Sequence, residues 1–316
     1  MKETTGLRSF FEFGKLKSIM AEIFESSVHF SSRERMDVYL DTNAISYLDS
    51  HPSWDPVVLA AARMRLCELV QSGSVSVFVS YVLLEELLGI LPTDRSKYAR
   101  VMSYLWEIAK TNLLLATNDM GRAEVAKAGR LEGNERLEVW AKTVEVYQEC
   151  CRERSIRSMP QRTKQEFARF EREENALRDE NKEELGTERV GSILHRWWEN
   201  PESRIDDWVA GFLEKNTARL SLPEDRSKWP PPRAFEAIWR FHAYKMARIY
   251  LNVGEGRRIR GSDMFDTHHY VAASYTNVMV SDDRDLRDTC AQIPRQLFML
   301  ESFEEFMAKR LSIKKA

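Results

Sequence analysis

Asp41 closes the apolar run Val38, Tyr39, Leu40 and is followed at once by Thr42 and Asn43. An uncompensated carboxylate at the end of a buried strand costs several kcal/mol. Three more segments set acids beside apolar runs. Glu85 and Glu86 follow "VSVFVS" (75–80), Asp263 and Asp266 open "DMFDTHHYVAASY", and Asp282 and Asp283 follow "NVMVS" (277–281). Taken singly, each has a plain structural reading. Asp41 caps a turn, Asp266 is a helix N-cap, Glu86 is a solvated helix charge and Asp283 belongs to a turn. Taken together they describe a site, because clustered carboxylates repel one another and require a cation. Hard oxygen donors with few histidines select Mg²⁺ or Mn²⁺. One or two such ions activate water for in-line attack on a phosphodiester and stabilise the leaving oxygen.

The elements that must carry these acids are legible in the hydrophobic period. Strands are expected at 38–41, 75–79, 112–117, 277–281 and 296–300. Helices are expected from Asp55 and Pro56 to just before Gly73, over 81–89, over about 96–110 and over 234–251, with a last one in "SFEEFMAKRL". Alternating strands and helices predict an α/β fold with a mainly parallel central sheet flanked by helices. In such sheets ligands sit beyond the carboxyl ends of the strands, where strand order reverses. The acids fall at those ends. Between about 118 and 245 the chain turns Glu-, Arg- and Lys-rich, and it reads as a large helical insertion. Residues 1–35 read as an N-terminal helical extension.

At these motifs the chain resembles the PIN-domain nucleases. The carrying segments are "VYLDTNAISYL", "SYVLLEELLGI", "DMFDTHHYVAASYTNVMVSDDRDL" and the tail "LFMLESFEEF". The resemblance covers about 36–117 and 260–310, and it implies a PIN-like nuclease domain built from 36–117 and 246–316 around the insertion at 118–245. It also implies a metal-dependent endoribonuclease with catalytic acids Asp41, Glu86, Asp266 and Asp283. Glu85 competes with Glu86, Asp263 with Asp266, and Asp282 with Asp283; Asp263 is retained as a further metal ligand. Asn43 matches the family's polar residue beside the first acid. Arg257, Arg258 and Arg260, in "GRRIRGSD", read either as a grip on the substrate backbone or as a solvated loop. His269 reads either as a substrate or water contact or as a packed helix histidine.

Composition sets the outer bounds. With 47 Lys and Arg against 49 Asp and Glu, the formal net charge is -2, so RNA or DNA contact must come from local patches. The four cysteines form no CxxC pair and read as structural thiols. The run "VSVFVSYVLL" is too short to span a bilayer, and no secretory leader is evident. A cytoplasmic protein with RNA as partner is expected, DNA being the second substrate the chemistry allows. No membrane partner is expected; a homo-oligomer or a regulatory protein partner fits the size. The accessory helices suit the effector of a toxin-like or defence system. Two other readings compete. One is a non-catalytic RNA- or protein-binding relative. The other is a haloacid-dehalogenase-type phosphatase, which wants an acid where Asn43 stands.

Overall fold

The computed structural model describes residues 35–152, 165, 168–180, 200–255, 258–260 and 263–315. The expected N-terminal helix and Arg257 lie outside the described residues, as do residues 153–164 and 181–199 of the expected insertion. Four short, largely apolar runs form parallel strands: β1 (Met36–Leu40), β2 (Val75–Phe78), β3 (Val278–Val280) and β4 (Met299–Glu301). Their order is β2-β1-β3-β4. Val38 stands opposite both Val77 and Val278, and Val278 stands opposite Met299. Because the chain leaves β1 for β2 on one side and later returns to β3 on the other, strand order reverses between β1 and β3.

Parallel strands need crossovers, and helices supply them. In chain order they are α1 (Thr42–Asp49), α2 (Pro56–Gln71), α3 (Tyr81–Leu88), α4 (Arg95–Ala109), α5 (Thr117–Lys127) and α6 (Trp140–Cys151). A helical segment over 168–180 follows, then α7 (Pro201–Lys215), α8 (Glu236–Glu255), α9 (Asp263–Ala273), α10 (Arg284–Gln292) and α11 (Phe303–Arg310). The expected start of α2 is realised: Asp55 Oδ1 accepts from the Val57 N–H at 2.8 Å and Pro56 takes the first turn. Its exit needs Gly73, whose φ of 75° is strained for any residue with a Cβ.

Side chains alternate across the strands, so each face builds its own core. Val38, Leu40, Val77, Val278 and Val280 face a layer made by α1 to α4, α6 and α11. Tyr39, Phe78 and Met279 face a second layer made by α5, α7, α8, α9 and α10. The stretch expected as an insertion therefore packs on both faces, α6 on the first and α5, α7 and the start of α8 on the second. Tryptophans of that stretch are committed to packing. Trp239 is buried with its indole N–H on Asp206 Oδ1 at 2.8 Å, Trp208 packs on the same core, and Trp229 donates to the Pro223 carbonyl at 2.7 Å.

The strand expected at 112–117 is a correction. It shrinks to two isolated bridges, Val79 with Leu113 and Leu114 with Leu137. The reason is that β2 leaves the sheet after Phe78 to enter α3, so Leu113 and Leu114 are buried with only one residue of a neighbour to pair with. Among the described residues no helix is long and apolar enough to cross a membrane.

One buried acid makes stability pH-dependent. Glu124 of α5 is fully buried, accepting from the Ala237 N–H at 2.7 Å and from the Tyr275 hydroxyl. Burial, helped by the charge of Glu236, pushes its carboxyl up from 4.5 to about 7 against those bonds and the Arg130 charge. The folded state holds the proton longer than the unfolded one. Stability is therefore greatest below pH 4.5 and is lost as pH rises to about 7, by about 3 kcal/mol at most. Glu124→Gln keeps an oxygen for Ala237 and removes the charge. Its melting temperature is expected to exceed that of the wild type at about pH 8 and to match it near pH 4; calorimetry across pH checks this.

Candidate functional site

β1 delivers Asp41 to the sheet's carboxyl edge, beside the switch point. Asp41 is the N-cap of α1, where its Oδ1 accepts from the Ala44 N–H at 2.6 Å. Its backbone N–H donates to the Val280 carbonyl at 3.1 Å, which ties it to β3. Only 4% of its surface is exposed. Burial pushes its carboxyl from 3.8 up to about 6, with the Glu86 charge adding; the Ser281 hydroxyl, the Ala44 amide and His269 oppose the rise.

Glu86, one helical step beyond Glu85 on α3, faces the same edge. Its Oε2 accepts from the Thr42 hydroxyl and lies 2.8 Å from His269 Nε2. His269 is buried, and its Nδ1 lies 2.6 Å from the Tyr39 hydroxyl, which in turn lies 2.7 Å from Ser80 Oγ. A buried chain therefore runs Ser80, Tyr39, His269, Glu86, Thr42. Burial alone would raise the Glu86 carboxyl, but the charge and hydrogen bond of His269 and the Thr42 hydroxyl bring it below its ordinary value. Burial likewise would lower His269, yet Glu86, by charge and hydrogen bond, and the charges of Asp41 and Asp266 raise it. Each thus draws the other toward its charged form.

α9 presents Asp266, and the β3 to α10 turn presents Asp283. Asp283 caps α10 through the Leu286 N–H at 2.9 Å, and its own N–H donates to Ser281 Oγ at 3.1 Å. Burial pushes the Asp266 carboxyl well above the ordinary range; Asp283, Asp263 and Glu86 add to this and His269 opposes it. Glu86 thus acts on both Asp41 and Asp266, and Asp283 acts on Asp266.

Their competitors are employed elsewhere. Asp282 is exposed and accepts from the Phe303 N–H at 3.0 Å, at the start of α11. Glu85 is exposed on the far side of α3. Asp263 is buried, with Oδ1 3.3 Å from an Arg248 Nη and Oδ2 accepting from the Arg260 N–H at 3.0 Å. Arg248 is itself buried and also reaches Asp285 at 3.2 Å.

Asn43 is exposed in the first turn of α1, and Arg258 and Arg260 are exposed just before α9. Between the two arginines, Ile259 has its N–H and carbonyl both bonded to the Asn175 side-chain amide at 3.0 Å. His269 sits behind Glu86 with both ring nitrogens engaged, so it holds the acid in place instead of facing solvent. Sequence reasoning passed over Tyr39, Thr42, Ser281 and Arg248. Tyr39 carried a signal, since a tyrosine inside a buried strand must find a partner for its hydroxyl.

The donor chemistry would suit a hard divalent cation: Asp41 and Asp266 are both raised by burial, and the charge of Glu86 adds to each. As arranged, no three His, Cys, Asp or Glu side chains among the described residues close around one point as a ligand set. A cation would therefore have to draw these side chains inward. Comparison with protein-family models, curated proteins and solved structures finds no match to this chain.

Proposed function

We propose that the chain is a PIN-like, Mg²⁺- or Mn²⁺-dependent endoribonuclease. What supports this reading is that four separate segments bring Asp41, Glu86, Asp266 and Asp283 toward the switch point of a parallel sheet, with Glu86 acting on Asp41 and on Asp266 and Asp283 acting on Asp266. These four would hold the ion, which when bound supplies a water acidic enough to attack at neutral pH and neutralises phosphate charge. The chain's own residues supply positioning. The Tyr39 and His269 pair locks the Glu86 rotamer, Ser281 and the Ala44 amide hold Asp41, and Arg258 and Arg260 offer cations to the adjoining backbone. Asp263, bound to Arg248, anchors the start of α9 and so positions Asp266.

The test is cleavage of end-labelled single-stranded RNA and DNA with Mn²⁺ or with EDTA. RNA cleavage that requires the ion is the expected result. Cleavage that persists undiminished in EDTA overturns the reading. Ion-independent binding without cleavage would instead support the non-catalytic alternative.

A further inference from the structure

α9 serves two sites at once. Asp266 and His269 face the acid cluster, while Met264, His268 and Ala272, spaced four residues apart, line a cavity of about 490 Å³ on another face. α3 divides the same way, with Glu86 toward the acids and Glu85 toward the cavity. An α-helix is about 10 Å across, so the cavity opens within reach of a nucleotide next to the one held at the acids. Its volume lies in the range of small-ligand pockets.

The lining says what would fit. Phe170, Phe241 and Phe265 supply aromatic surface. His268 is fixed by its Nδ1 on Thr117 Oγ1 at 2.8 Å and by its ring 5.8 Å from that of Phe241. His268 also lines the cavity. An imidazole nitrogen can donate or accept. Exposed Asn118 adds an amide with both functions. The lining carboxylates Glu85, Glu173 and Glu174 outnumber the cations Arg169 and Lys245. Moreover, Arg169 is bonded to Glu173 at 2.7 Å and Lys245 to Glu174 at 2.5 Å. A phosphate would meet net negative charge here. A neutral, planar heterocycle meets aromatic walls and paired donors and acceptors.

We infer that this cavity takes one unpaired base of the strand whose backbone lies at the acid cluster, an inference that rests on the nuclease reading. Stacking on phenylalanine and edge contacts to His268 and Asn118 would recognise it.

The test uses the full chain in EDTA and an RNA oligonucleotide carrying one 2-aminopurine, whose fluorescence falls on stacking. Phe170→Ala is expected to weaken binding roughly fivefold or more, and the exposed Asn118→Ala to weaken it in the same direction without touching the fold. An abasic site at the probe position should erase the difference between wild type and variants. Equal affinities of wild type and both variants for the probe overturn the inference, even where Mn²⁺-dependent cleavage is intact. Quenching of free 2-aminopurine riboside by wild type but not by the variants, with no oligonucleotide bound, upholds the cavity and defeats the nuclease reading. Quenching of neither probe overturns the cavity's role.

Discussion

Asp41→Asn is expected to lower cleavage by at least about 100-fold, since even residues behind a metal ligand are worth 10- to 100-fold. The same substitution should raise the stability of the ion-free protein at neutral pH. Asp41 is buried, and its carboxyl is pushed from 3.8 to about 6. The folded chain therefore holds the proton through that window, and the stability associated with Asp41 falls as pH rises across it. At neutral pH the charged form costs about 3 kcal/mol. Asparagine keeps an oxygen for the Ala44 N–H, so the cap of α1 survives. Melts in EDTA near pH 8 should place the variant above the wild type, with the gap closing toward pH 4. Mn²⁺ should raise the wild type's melting temperature more than the variant's. A variant that cleaves like the wild type sinks the assignment of Asp41.

The second large effect separates two aspartates that lie three residues apart. Asp263→Asn leaves Arg248 buried with its main counter-charge gone, and breaking a buried ion pair costs about 3 kcal/mol or more. Asp285 remains at 3.2 Å but is half exposed and offsets little of this. Molecules that fold should still cleave. Asp266→Asn should do the reverse. It removes a raised, repelled carboxylate, so stability holds or rises while cleavage is lost. Denaturant titration and single-turnover cleavage of both variants decide the matter. Equal losses of activity per folded molecule would make Asp263 a ligand after all.

Legibility in the sequence followed the range of the interaction. Asp41, Asp283 and the strands before them were readable because a short apolar run ending in an acid is a local signal. The start of α2 was readable from Asp55 and Pro56 alone. The strand at 112–117 was misread because its apolar residues are buried through bridges to Val79 and Leu137, and burial alone does not specify a ladder. Tyr39 meets His269 across 230 residues, and no local pattern announces such a bond. The choice of Glu86 over Glu85 depended on which side of α3 packs toward β1, a fact of tertiary structure. The helix over 234–251 was legible from its apolar face, whereas the Glu- and Arg-rich composition around it concealed that α7 buries Ile205 and Val209 against the sheet's second face.

The Asn175 amide meets Ile259 as a neighbouring peptide would, giving and taking one bond each. A side chain on a remote helix thereby tethers the stretch between two exposed arginines, alongside the bond from the Arg260 N–H to Asp263. On the nuclease reading proposed above, the arginine-bearing segment and the acids Asp41, Glu86 and Asp266 rest on separate supports. Evolution, or an engineer, can re-aim the arginine-bearing segment by editing the tether while leaving the acids untouched.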